Sequence, residues 1–199
     1  MQRRVAWFVV GMLSSVLVPA IVRAEPTIVL PRPGQVGVGL QGQYGSLSKS
    51  GDLGELFGNG PGIAVRLRYR MRYERAIGLS FESHQLDARS TAGTADTSAS
   101  QITMIMSGFD IYQLFGTRTR TTKMLSVGLG LMQPSVKLND GETTFPDDGI
   151  YLSAGAGLER FFYHSLAFDL STRYFAIFQH GQTTHDVQAS LGIIFYASY

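Results

Sequence analysis

The stretch VQASLGIIFYASY, Val187 to Tyr199, decides the fold. Its alternate positions Val187, Ala189, Leu191, Ile193, Phe195, Ala197 and Tyr199 are all apolar or aromatic. Between them stand Gln188, Ser190, Gly192, Ile194, Tyr196 and Ser198, mostly small or polar. A period of two marks a β-strand whose faces meet different surroundings, because successive side chains point to opposite sides.

The same alternation recurs upstream, in segments near residues 35–44, 62–70, 76–86, 101–115, 124–136, 150–161 and 165–177. Ile63, Val65, Leu67 and Tyr69 oppose Ala64, Arg66, Arg68 and Arg70; Leu125, Val127, Leu129 and Leu131 oppose Ser126, Gly128 and Gly130. The segment at 101–115 is the least regular. Keeping Asp110 off its apolar face makes Ile105, Phe109 and Ile111 the outer set. With the closing strand the count is eight, and several reach the roughly 9–11 residues that cross a hydrocarbon layer at a tilt.

The connections alternate in character. Long polar loops are expected at 45–61, 87–100, 137–149 and 178–186, and short turns at 71–75, 116–123 and 162–164. Long on one side and short on the other predicts an all-β, eight-stranded antiparallel up-and-down transmembrane β-barrel in an outer membrane, with both termini periplasmic and four loops extracellular. Two aromatic levels fit membrane edges: Tyr69, Tyr73, Tyr112, Phe115, Phe161, Phe162 and Tyr199 at the short-turn end, and Tyr44, Tyr151, Tyr174 and Phe175 at the other.

Alternation alone does not say which face is outside, since a soluble lipocalin-like ligand-binding barrel also has eight strands. The polar face decides it. It is built of Gly, Ser, Ala and Gln, where a solvated face would be rich in Lys and Glu, and small residues suit a narrow eight-stranded interior. Its charges come in both signs: Arg66, Arg68, Arg70 and Arg173 with Glu82, Asp110, Glu159 and Asp169. Buried charges persist when paired, so these eight are expected to form a structural network in the lumen.

At the N-terminus, Arg3 and Arg4 precede the apolar stretch Val5 to Val18, and Val22-Arg23-Ala24 ends on a small residue. That is the form of a secretory signal peptide, cleaved after Ala24. Residues 25–34, with Pro26, Pro31 and Pro33, read as an extended lead-in, leaving 35–199 as the barrel. Cleavage removes three of 17 basic residues and no acidic one, so 14 − 15 gives a mature charge near −1 and no support for nucleic-acid binding. There is no Cys to make disulfides. Charged residues are 16 %, against about 25 % in soluble domains.

LGIIFYASY at the end, the glycine-rich SVGLGL and SAGAGLERFF, and the signal peptide together resemble the small outer-membrane β-barrels, which include the membrane domain of outer-membrane protein A and its short relatives. The resemblance covers about residues 35–199 and is specific for architecture. It implies that Leu191, Ile193, Phe195 and Tyr199 form the terminal signal read by the barrel-assembly machinery. It also implies outer-membrane lipid and lipopolysaccharide as surroundings, and a monomer. The sequence departs from the longer relatives in stopping at the barrel, so no peptidoglycan-binding domain is expected.

Candidate chemistry is thin. Tyr163-His164-Ser165 superficially resembles the His-x-Ser pattern of a lipid A deacylase, but its His and Ser are adjacent and fall in a short turn. His180, His185 and Asp186 share the expected last loop without metal-ligand spacing. His84 and Glu82 share a strand face, a polar contact. The acidic loop around Lys137, Asp140, Glu142, Asp147 and Asp148 could meet divalent cations among lipopolysaccharide headgroups, but reads more simply as a solvated face. No catalytic, cofactor or metal residues are assigned. A structural or surface-interaction role is expected, with a narrow channel for small solutes or ions as the alternative, because Arg66, Arg68 and Arg70 would line a basic path if unpaired.

Overall fold

The computed structural model describes residues 32–89, 99–139, 141–179 and 181–197. The signal segment 1–24, residues 25–31 of the lead-in, Asp140, His180 and Tyr199 lie outside the described residues. Eight long strands carry the fold: β1 Val36–Leu47, β2 Asn59–Arg72, β3 Arg75–Asp87, β4 Ala99–Phe115, β5 Thr121–Leu138, β6 Gly149–Phe161, β7 Leu166–Gln179 and β8 Gln182–Ala197. A two-residue strand, Thr143–Thr144, pairs with Val136 and Lys137 inside the β5–β6 loop. Each long strand pairs antiparallel with the next, and β1 closes on β8 from Val36 opposite Ala197 to Leu47 opposite Asp186. Closure matters because an open edge would leave backbone N–H and C=O groups without partners in an apolar medium.

The outward face is apolar. Leu40, Ile63, Phe81, Ile111, Leu129, Leu152, Leu170 and Leu191 are exposed, and Ile105, Phe109 and Ile111 form the outer set of β4. Lateral exposure of so many large apolar side chains rules out the lipocalin-like arrangement, in which that face would be the core.

Three expectations need correction. The last connection is a tight turn: β7 and β8 pair out to Gln179 opposite Gln182, with Gly181 at φ +75°. Thr183 and Thr184 read as loop because they are polar, yet a strand continuing beyond a hydrocarbon layer has no need to stay apolar, and β-branched Thr suits a ladder. The first long loop shrinks in the same way, with β2 starting at Asn59, and contains a short helix, α1 Gly51–Leu56.

Second, four of the aromatics assigned to the membrane edges point inward. Tyr112, Tyr151, Phe161 and Phe175 are buried, while Tyr69, Tyr73, Phe115, Phe162, Tyr44 and Tyr174 remain exposed. Height along the barrel does not fix the side; strand parity does. Third, the lumen is not polar throughout. Its long-loop end holds a buried apolar cluster that includes Leu47, Leu86, Ile102, Met104, Met106, Met132, Tyr151 and Phe175. Leu53 of α1 and Phe57 just beyond it join this cluster and cap it. Arg89 holds the cap by donating to the carbonyls of Phe57 at 2.7 Å and Leu47 at 2.5 Å.

Candidate functional site

The lumen is built from β2 outward. Arg66, Arg68 and Arg70 sit at alternate positions of one strand, so all three point inward, and β6 stands opposite β2 across the barrel. Arg68 and Arg70 both reach across to Glu159 on β6; the Arg70 contact is 2.5 Å. Arg68 also binds Asp169 on β7 at 3.3 Å. Glu159 and Asp169 are direct cross-strand neighbours. Two like charges so placed repel, and Arg68 bridging both is what makes the pairing tolerable. Tyr196 donates to Glu159 at 2.7 Å, and the Arg68 guanidinium lies 4.3 Å from the Tyr112 ring centre.

A second group sits nearer the long-loop end. Arg173 on β7 reaches Glu82 on β3 at 2.8 Å and also binds Asp110 on β4 and Ser153. Arg66 shares Glu82 at 3.5 Å and donates to Ser171 at 3.2 Å. His84 approaches the other Glu82 oxygen at 3.9 Å. All eight charges named from the sequence are at most 3 % exposed, and the structure brings them into these two groups. Apart from Arg66–Glu82, which joins neighbouring strands, the struts run across the lumen. Such guanidinium–carboxylate contacts are strong because the planar fork presents several donors at once.

Lumen glycines serve this packing. A Cβ on Gly130 would stand 2.6 Å from the Tyr151 ring, and one on Gly37 would stand 2.7 Å from the Tyr196 ring. Each of these tyrosines lies over a glycine on a neighbouring strand, so the bare backbone is the space the ring occupies.

Residues 10–195 match the family described as Outer membrane protein beta-barrel domain. The chain belongs to this family. The barrel is similar to the crystal structure of Neisserial surface protein A, with a TM-score of 0.58 and 17 % identity over 81 % of this chain and 98 % of that one. It is also similar to the outer membrane protein OprG of Pseudomonas aeruginosa, with a TM-score of 0.61 and 12 % identity over 86 % and 100 %. The N-terminal β-barrel domain of OprF from the same organism gives 0.54 and 14 % over 82 % and 99 %. At such identities the likeness is one of fold. A search of curated proteins finds no match.

As an outer-membrane barrel, the protein turns its apolar girdle to lipid and its polar residues to the lumen. Leu191, Ile193 and Phe195 lie on the lipid face of β8. Several lumen groups escape a reading confined to charges. Tyr112, Tyr151 and Tyr196 were legible only from strand parity, and Ser153 and Ser171 read as space-savers rather than partners.

Asp186, expected in a loop, is buried on β8 and accepts from Gln188 at 2.7 Å. His185 is on the outer side of β8, stacked on Tyr174 with a 2.6 Å contact between its Nδ1 and the Tyr174 hydroxyl. His164 is exposed in the turn between β6 and β7. Among the described residues no three His, Asp or Glu side chains gather as a metal-holding group.

Proposed function

We propose that this outer-membrane barrel has a structural or surface-interaction role, carried out through its long loops, with the lumen acting as a closed internal brace. The observation that supports this is the cross-lumen course of Arg68, Arg70 and Arg173, each bound to a carboxylate on another strand. Four basic residues against Glu82, Asp110, Glu159 and Asp169 give 4 − 4 = 0, so no unpaired basic path remains among these eight to attract anions. The apolar cap of Leu53 and Phe57 adds a second obstruction at the long-loop end. In planar bilayers the protein should give no sustained conductance. Stable anion-selective openings would overturn the closed lumen in favour of a narrow channel.

In this reading the long loops are extracellular and both termini periplasmic, the protein is a monomer, and it does no catalysis. Leu191, Ile193, Phe195 and Tyr199 present the strand read by the barrel-assembly machinery. The orientation is supported by the asymmetry of the connections, with β2–β3 and β6–β7 joined by short turns and the β1–β2 and β5–β6 loops long. Protease added to intact cells should cut only within 48–58, 88–98 or 139–148, and the remaining core should show heat-modifiable gel migration. Cleavage at 73–74 or 162–165 would place the short turns outside.

A further inference from the structure

The outward rim at the short-turn end is electrically lopsided. On the side formed by β3 to β6, Arg75 begins the outward face of β3, Lys123 stands near the start of β5 and Arg160 near the end of β6, all exposed. The adjoining turns add exposed Arg72, Arg118 and Arg120, while Glu74 is the one outward acid of these segments. Six basic against one acidic residue gives 6 − 1 = +5. Among the described residues none of the six enters an ion pair. Across the barrel, the corresponding outward positions of β7, β8 and β1 are Leu166, Phe195 and Val36, without charge; Arg32 lies just ahead of β1.

Below the basic rim is an apolar groove of about 390 Å³, lined by Met71, Arg75, Ile111, Gln113, Leu125 and Val127. The register explains its shape. Arg75, Gln113, Leu125 and Ala156 form one row across β3 to β6, and Ile77, Ile111, Val127 and Ala154 the next. The two alanines leave the relief low at the β6 side, and Arg75 stands at the groove's rim-ward end.

From this juxtaposition we infer that the β3–β6 side binds a phospholipid of net negative headgroup, its acyl chain in the groove and its phosphate between Arg75 and Lys123, with Arg160 adding to the positive rim. A guanidinium matches phosphate oxygens with paired donors. A zwitterionic headgroup carries the same phosphate beside its own ammonium, so a patch of net positive charge discriminates by net headgroup charge. The inference rests on the membrane reading of the barrel but not on the closed lumen, so conductance results leave it untouched.

The test is lipid retention by the refolded mature protein in nanodiscs of phosphatidylcholine with a minor fraction of phosphatidylglycerol. Co-purifying lipid is counted by native mass spectrometry after mild detergent release. Phosphatidylglycerol should be enriched about fivefold or more over its bulk fraction, the effect of roughly one basic side chain at a membrane surface. Arg75→Gln/Lys123→Gln/Arg160→Gln should bring retention to parity, while Arg32→Gln leaves it enriched.

Val127→Trp, which fills the groove from its own lining and keeps every charge, should also reduce the count, and it serves if the triple variant does not refold. Absence of enrichment in the unaltered protein, or enrichment that survives both the charge removal and the groove obstruction, overturns the inference. Equal loss on Arg32→Gln would assign the effect to overall charge and overturn it too.

Discussion

Arg68→Met removes the side chain that bridges Glu159 and Asp169. These carboxylates face each other across the β6–β7 ladder and are buried. After the change Glu159 keeps Arg70 and the Tyr196 hydroxyl, but Asp169 loses its ion partner, the 3.3 Å contact to Arg68. Breaking a buried pair from one side costs about 3–5 kcal/mol, because the remaining charge has neither water nor a partner. At about 1.4 kcal/mol per factor of ten, the folding equilibrium should fall by roughly a hundred- to a few thousandfold.

Asp169→Asn on the Arg68→Met background removes the orphaned charge at nearly constant volume, and should recover half or more of the loss. The assay is reversible urea unfolding in phosphatidylcholine vesicles, followed by the mobility shift between folded and unfolded protein. Arg118→Met, on an exposed turn, is the control and should lie within about 0.5 kcal/mol of the unaltered protein. The reasoning is refuted if Arg68→Met is no less stable than the control, or if the double variant is no better than the single one.

Three further outcomes follow from the same geometry. Gly37→Ala places a methyl 2.7 Å from the Tyr196 ring, with side-chain atoms as its nearest neighbours, so it should cost about 1–3 kcal/mol in the same titration, and that extra cost should largely vanish on a Tyr196→Ala background. Leu191→Arg, at a lipid-facing position 51 % exposed, should cost about 2–4 kcal/mol if it lies near mid-membrane, relative to Leu191→Ala; equal stabilities would mean that this face does not meet hydrocarbon. Arg89→Ala deletes the two bonds that hold Phe57 and Leu47, each worth about 1.5–3 kcal/mol for a charged donor. Amide exchange over 51–57 should then quicken by tenfold or more while the barrel strands stay protected, and unchanged protection would show that Arg89 does not hold the cap.

Reading charge and parity separately explains what was legible in the candidate site. The eight lumen charges could be named because each sits on the polar face of an alternating strand, as Arg66, Arg68 and Arg70 do between Val65, Leu67 and Tyr69. Asp186 escaped because the polar run from Gln182 to Asp186 looks like loop, although it continues a ladder above the apolar girdle. Tyr151 escaped because its height along the strand suggested a membrane edge, while its position between Ile150 and Leu152 already assigned it to the lumen.

By itself the sequence determined the strands, their number and the aliphatic residues that face lipid, though not the side of every aromatic. These follow from a local period of two and from a solvent that demands apolar side chains on one face. Even the terminal stretch Val187 to Ala197 declared its outward and inward sets before any partner was known. Only the tertiary structure decided who meets whom inside. Arg68 and Glu159 are 91 residues apart, and their contact depends on β2 and β6 standing opposite each other once β1 has closed on β8. The cap of α1 over an apolar cluster is likewise a product of closure: Leu53 and Phe57 are ordinary loop residues until the closed barrel places a buried apolar surface beneath them.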